Sequence, residues 1–153
     1  MNFQDIHSYY QQLNIDAFFP QIIAQGEALT VAANKKLAIQ PGYIYFCTEG
    51  SLSILMPDSG LHIGNSIEYM PIGLMERYCP LAKFEYIGSA AVKLVKVTYD
   101  VFDQIFLHGG PERVQELAII LTYMSIFTID LHNERRQMTS YQTIRPMLFR
   151  YLY

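Results

Sequence analysis

The chain has 153 residues, a formal net charge of −3, 51% hydrophobic residues and only 16% charged ones, which excludes a disordered or fibrous protein and allows one domain with a real core. Its clearest basic runs, Lys35-Lys36 and Arg135-Arg136, read as solvated structural charge and give no basic face of the kind a freestanding nucleic-acid binder carries. Twelve Tyr and nine Phe with no Trp favour strands.

Residues 2–25 read as helical, with a broken apolar stripe at Ile6, Tyr9, Tyr10, Leu13 and Ile15. Asp16-Ala17-Phe18-Phe19-Pro20 interrupts it, Ile22 and Ile23 restart it, and Gly26 is the expected stop beyond a helix C-terminus. Strand candidates follow at 28–32 and 36–39, then the Pro41-Gly42 turn and a third strand at 43–47, closed by Glu49-Gly50. Leu52, Ile54 and Met56 alternate with Ser51, Ser53 and Leu55, the pattern of a half-buried strand. Asp58-Ser59-Gly60 is a hairpin turn, 61–63 return from it, and Gly64-Asn65 is the next expected turn. Met70-Pro71-Ile72-Gly73 breaks the pattern, and strands at 84–87 and 90–97 complete it. Many short strands punctuated by Gly and Pro predict a sandwich or jelly roll.

A short helix is expected over 99–107, ended by His108-Gly109-Gly110, with Pro111 opening the next helix from its first position. In that long helix Leu117, Leu121, Met124, Thr128 and Leu131 fall at spacings of four, three, four and three, a pairing seam. Ile120, Tyr123, Ile126 and Phe127 add a second apolar face. A helix apolar nearly all round is either buried within one chain or shared with another; the seam favours one face on the β unit and the other on a second copy. Thr139 or Ser140 could cap a further helix, with Pro146 near its start. The expected division is therefore N-terminal helices at 1–26, a β-roll at 27–98, a short helix and turn at 99–110, a dimerisation helix at 111–137 and the start of a further helix at 138–153.

Catalytic chemistry finds no footing. Only His62 among His7, His62, His108 and His132 falls in an expected strand, and no H-x-H, H-E-x-x-H or G-x-S-x-G occurs. A metal-dependent enzyme of the cupin type is thus the third reading. Cys47 and Cys79 form neither a redox pair nor a zinc site. No catalytic residue, metal ligand or cofactor is expected. Cys79, beside a proline in a loop with Arg77 and Lys83 near in sequence, is the candidate redox thiol; Cys47 reads as a small core residue. Met1-Asn2-Phe3-Gln4-Asp5 lacks the regions of a signal peptide, and 117–131 is too short and too polar to cross a bilayer. A cytoplasmic protein with free thiols and no membrane partner is expected.

In this order, the Pro41-Gly42 turn, Glu49-Gly50-Ser51-Leu52, Ile72-Gly73, the exit Val97-Thr98-Tyr99-Asp100-Val101-Phe102 and the long helix resemble the effector domain of the cyclic-AMP receptor protein and FNR superfamily, over about residues 25–150. Within it, Glu49-Gly50 with Ser53, Ile63-Gly64, Pro71-Ile72-Gly73-Leu74 and Ser140-Tyr141-Gln142 with Ile144-Arg145 look most like a divergent enterobacterial branch described as an inhibitor of hydrogen peroxide resistance. The resemblance implies an α+β fold, mainly β with flanking helices: a jelly-roll effector domain followed by a long dimerisation helix. It implies a sensory and dimerising part of a transcription regulator, in which helix pairing sets the spacing of two DNA-reading units.

Members that bind cyclic nucleotide carry Gly-Glu and then Arg-Ser or Arg-Thr. Here Leu74 follows Gly73, and Leu81-Ala82-Lys83-Phe84 stands where the arginine would fall. Lys83 lacks the arginine fork, and Glu76 with Arg77 is only a shifted pair, so cyclic AMP is not the expected ligand. The superfamily continues into a winged helix-turn-helix; this chain reaches Tyr153 without one, so DNA contact is expected only through a C-terminal domain missing here. A pocket for an unknown small ligand is expected between roll and helix, lined by Leu55, Ile72, Gly73, Leu74, Tyr86, Tyr123 and Phe127. A pocket filled by its own aromatics would mean a dimer set without ligand. The runner-up is a protein-interaction module of the same fold with no ligand.

Overall fold

The computed structural model describes residues 2–11 and 18–137, with the side chains of the last helix as far as Ile126. Two short helices, α1 (Phe3–Gln11) and α2 (Phe19–Gln25), lead into β1 (Glu27–Val31), β2 (Tyr43–Glu49), β3 (Ser53–Leu55) and β4 (His62–Asn65). Helix α3 (Leu74–Tyr78), β5 (Glu85–Ile87) and β6 (Val92–Thr98) follow, then α4 (Tyr99–Phe106) and α5 (Pro111–Gln137). The strands form two antiparallel sheets, ordered β1-β6-β2 and β4-β3-β5. Single bridges from Lys36 to Ile87 and from Tyr45 to Ile72 close the roll.

The sheet β1-β6-β2 is buried on both faces along β2 and β6, which explains the nearly unbroken apolar runs of those strands. Side chains alternate across a strand. Tyr45, Cys47, Val92 and Leu94 face the roll interior, where they join Leu52, Ile54, Ile72 and Tyr86. Ile44, Phe46, Val95 and Val97 face the helices, where they join Phe18, Ile22, Phe102, Phe106 and Ile120. Phe106 is the centre of this second core: its ring lies 4.8 Å from Phe18, 4.7 Å from Phe102 and 6.3 Å from Phe46, centroid to centroid. Thr98 ends β6 and caps α4, its Oγ1 accepting the Val101 N–H at 3.2 Å.

The structure corrects several expected elements. Residues 36–39 are not a strand beyond the bridge at Lys36: Leu37 N–H goes to the Tyr86 carbonyl at 2.8 Å, and Gln40 N–H goes to the Tyr45 hydroxyl at 3.0 Å. These bonds strap the segment over the end of the roll. Gly64-Asn65 is not a turn; it pairs with Ile54 and Ser53 as the end of β4. The chain turns at Ser66 instead, whose N–H reaches the Leu52 carbonyl at 2.7 Å while its Oγ accepts the Leu52 N–H at 2.8 Å. Met56 is exposed, because β3 stops at Leu55 and the Met56 carbonyl already accepts Gly60 N–H at 2.9 Å in the hairpin turn. Gly26 is extended (φ −95°), not left-handed; it is required because a Cβ there would collide with Val95 Cγ1 and lie 2.7 Å from the Ile22 carbonyl. The short helix α3 had no sequence signal beyond the break at Gly73.

Candidate functional site

Helix α3 is the joint of the molecule. Gly73 precedes it at φ 98°, where an added Cβ would sit 3.2 Å from the Tyr43 carbonyl, so the turn belongs to glycine on two counts. Three consecutive α3 residues then serve three neighbourhoods. Met75 stands on the wall of an apolar groove. Glu76 Oε1 accepts the Tyr86 hydroxyl at 2.7 Å, reaching into the roll, while its Oε2 is buried with no hydrogen-bond partner. Arg77 grips Asp103 of α4 with both guanidinium nitrogens at 2.7 Å, and its cation lies 4.4 Å over the Tyr99 ring.

The Arg77 hydrogen bonds hold the Asp103 carboxyl below the usual carboxylate range, and the pair is 17% and 21% exposed. A lowered folded-state pKa adds stability that is present above the unfolded value, near 4, and lost as pH falls through the folded one. Asp103→Asn is therefore expected to cost about 1.5 kcal/mol at neutral pH. It should also flatten the acid limb of the stability–pH curve below about pH 4. Urea melts between pH 7 and pH 2 check this; parallel curves for both proteins would remove the pair from the acid response.

The groove encloses ≈ 650 Å³ between the β4-β3-β5 sheet and α5. Ile54, Ile63, Ile67, Met70 and Phe84 make the roll side, Met75 the α3 end, and Leu121, Tyr123 and Met124 the helix side. Gly64, Asn65 and Ser125 complete it. Tyr123 is fixed from behind: its ring stacks on Tyr10 at 4.0 Å, and its hydroxyl lies 3.1 Å from His7 Nδ1. The Tyr10 hydroxyl donates to the Glu68 carbonyl at 2.9 Å, and burial pushes its pKa up, so it keeps its proton. Thus α1 braces the groove against α5.

Of the residues expected to line a pocket, Tyr123 stands on this wall. Ile72 and Tyr86 lie in the roll core, Leu74 in the helix-side core, Gly73 caps α3, and Leu55 is half-buried at the end of β3. Tyr45 and Tyr86 fill the roll interior, with the Tyr45 hydroxyl tied to the 38–40 strap. The side chain of Phe127 is outside the described residues, as are those of Thr128 and Leu131 from the expected seam. Leu117 is buried in its own chain's core, Met124 is half-buried against both cores, and Leu121 is exposed at 37%. The exposed stripe of α5 runs Val114, Ala118, Leu121 and Ser125, one step round from the expected seam. The roll-side wall residues were missed because they come from short strands and from the 67–75 connection, where no long period exists to read, while Leu121 and Met124 were read as seam residues and not as wall.

Arg77, the one arginine near the expected nucleotide cassette, is committed to Asp103, and Lys83 is exposed and not on the groove wall. Among the described residues no three His, Cys, Asp or Glu side chains are grouped to hold a metal ion, and no helix is long and apolar enough to cross a membrane. Cys47 is buried beside Ser66 and burial pushes its thiol pKa up, whereas Cys79 is exposed. Dilute peroxide followed by a sulfenic-acid probe and mass spectrometry should label Cys79 first; equal labelling, or Cys47 first, would reverse that order.

No family model matches the sequence and no curated protein does. Solved structures do share its fold. The c-di-GMP-responsive global regulator CLP of Xanthomonas campestris superposes with TM-score 0.63 at 16% identity, over 79% of this chain and 64% of that one. A doubly substituted mutant of CooA from Carboxydothermus hydrogenoformans gives TM-score 0.62 at 8% identity, over 90% and 95%. A cyclic nucleotide-binding domain containing protein from Listeria monocytogenes EGD-e gives 0.56 at 16%, over 84% and 61%. The chain therefore has the α+β β-roll fold of these proteins, and spans 64% of the length of CLP.

Proposed function

We propose that this chain is the sensory and dimerising domain of a transcription regulator of the cyclic-AMP receptor protein and FNR type, acting in the cytoplasm without catalysis. The observation that carries the reading is the apolar groove shared by the roll and α5: a ligand there touches both the sensing body and the helix that would pair with a second copy. Population shift between two helix arrangements is then the mechanism, since a ligand moves an equilibrium only through unequal contacts in its states. Cyclic AMP is not the signal in this reading, because Arg77 is bound to Asp103 and Glu76 faces Tyr86. The DNA-reading unit is assigned to a further domain. The enterobacterial peroxide-resistance branch rests on the sequence motifs alone and is kept as the physiological setting.

A protein-interaction module of the same fold is the second reading, favoured by the tyrosines that fill the roll interior. Dimerisation through α5 separates a sensory dimer from a monomeric docking domain. Sedimentation of the chain is expected to give a homodimer at micromolar concentration; a monomer there overturns the dimerising role.

A further inference from the structure

We infer that the groove between the β4-β3-β5 sheet and α5 takes an uncharged, largely hydrocarbon small molecule, an acyl chain or aromatic without an ionised head. This names the ligand class of the sensory site and rests on that reading of the groove. Its volume of ≈ 650 Å³ lies within the roughly 300–1,000 Å³ of small-molecule pockets.

The wall supplies hydrocarbon and sulfur, from Ile54, Ile63, Met70, Met75, Phe84 and Met124. No Lys, Arg or His among the described residues lies on it. Its side-chain oxygens are already engaged inside the protein. Asn65 Oδ1 is 2.9 Å from His62 Nε2, Ser125 Oγ donates to the Leu121 carbonyl at 2.9 Å, and the Tyr123 hydroxyl lies 3.1 Å from His7. An anion entering this space would lose its hydration with no counter-charge to replace it, whereas a hydrocarbon gains by leaving water. Three methionines give a surface that adapts to more than one shape, so the selectivity is for charge and polarity before outline.

The test uses the whole chain, with N-phenyl-1-naphthylamine as an uncharged fluorescent probe and methyl-labelled methionine for NMR. The probe is expected to bind with micromolar affinity and to be displaced by 1-decanol, while cyclic AMP at millimolar concentration leaves it bound. Decanol should shift the methyl signals of Met70, Met75 and Met124 and leave Met56, which is outside the groove, in place. Met75→Trp, at an exposed rim position, should weaken the probe at least tenfold. Ile119→Trp, in the smaller groove between α1 and α5, should leave it unchanged.

Failure of the probe to bind overturns the inference, as do displacement by cyclic AMP or by decanoate as readily as by decanol, and shifts confined to other methionines. If Met75→Trp does not fold, the methionine shifts of the wild type decide alone. A chain that dimerises but takes no apolar probe overturns the ligand class and leaves the dimerising role standing; a monomer that binds decanol does the reverse.

Discussion

Phe106→Ala is expected to lower the stability of the fold by about 3–5 kcal/mol. The ring is fully buried, where α2, β2 and α4 converge, with Phe18, Phe46 and Phe102 around it. Truncation removes the transfer free energy of the ring and leaves a cavity that three separate elements would have to close. Edge-on and tilted contacts with its neighbours add to the loss, since such aromatic pairs contribute beyond the area they bury. Urea denaturation should show the midpoint falling with an unchanged slope. A loss under about 1 kcal/mol would mean that the helix-side core collapses freely around the gap and that Phe106 is not its centre.

Replacement of Leu121 by Glu is expected to dissociate the proposed dimer while leaving the single chain folded. Leu121 is partly exposed where the outer stripe of α5 meets the rim of the groove, so within one chain a carboxylate there stays hydrated. In a helix pair it would be desolvated against apolar side chains, at a cost of about 3 kcal/mol or roughly 100-fold in dimer affinity. Leu117→Glu is the informative contrast: that side chain lies in its own chain's core, so the charge should unfold the protomer. Sedimentation at several concentrations, together with thermal melts of both variants, reads the two effects apart. A Leu121→Glu protein that remains a dimer would move the contact off this face of α5.

How far each of these positions could be read in advance follows from which physical signal it carried. The succession of short strands, the hairpin at Asp58-Ser59-Gly60 and the Pro111 start all lie where local chemistry requires them. A turn residue, a helix-opening proline and a two-residue period act over a few neighbours, so the sequence by itself determines them. The roll followed by a long apolar helix is legible for the same reason, and it carries the fold.

Only the tertiary structure decided where each apolar face goes. Leu117 and Leu121 are alike in sequence, yet one is buried and the other is exposed, because helix rotation is set by what α5 packs on and not by its own pattern. Arg77 was legible as a cation near the cassette; that it turns to Asp103, 26 residues on, depends on where α4 lies. The groove wall is gathered from β3, β4, the 67–75 connection, Phe84 and α5. No periodicity spans such a set, because residues far apart in the chain become neighbours only when the sheet and the helix settle against one core.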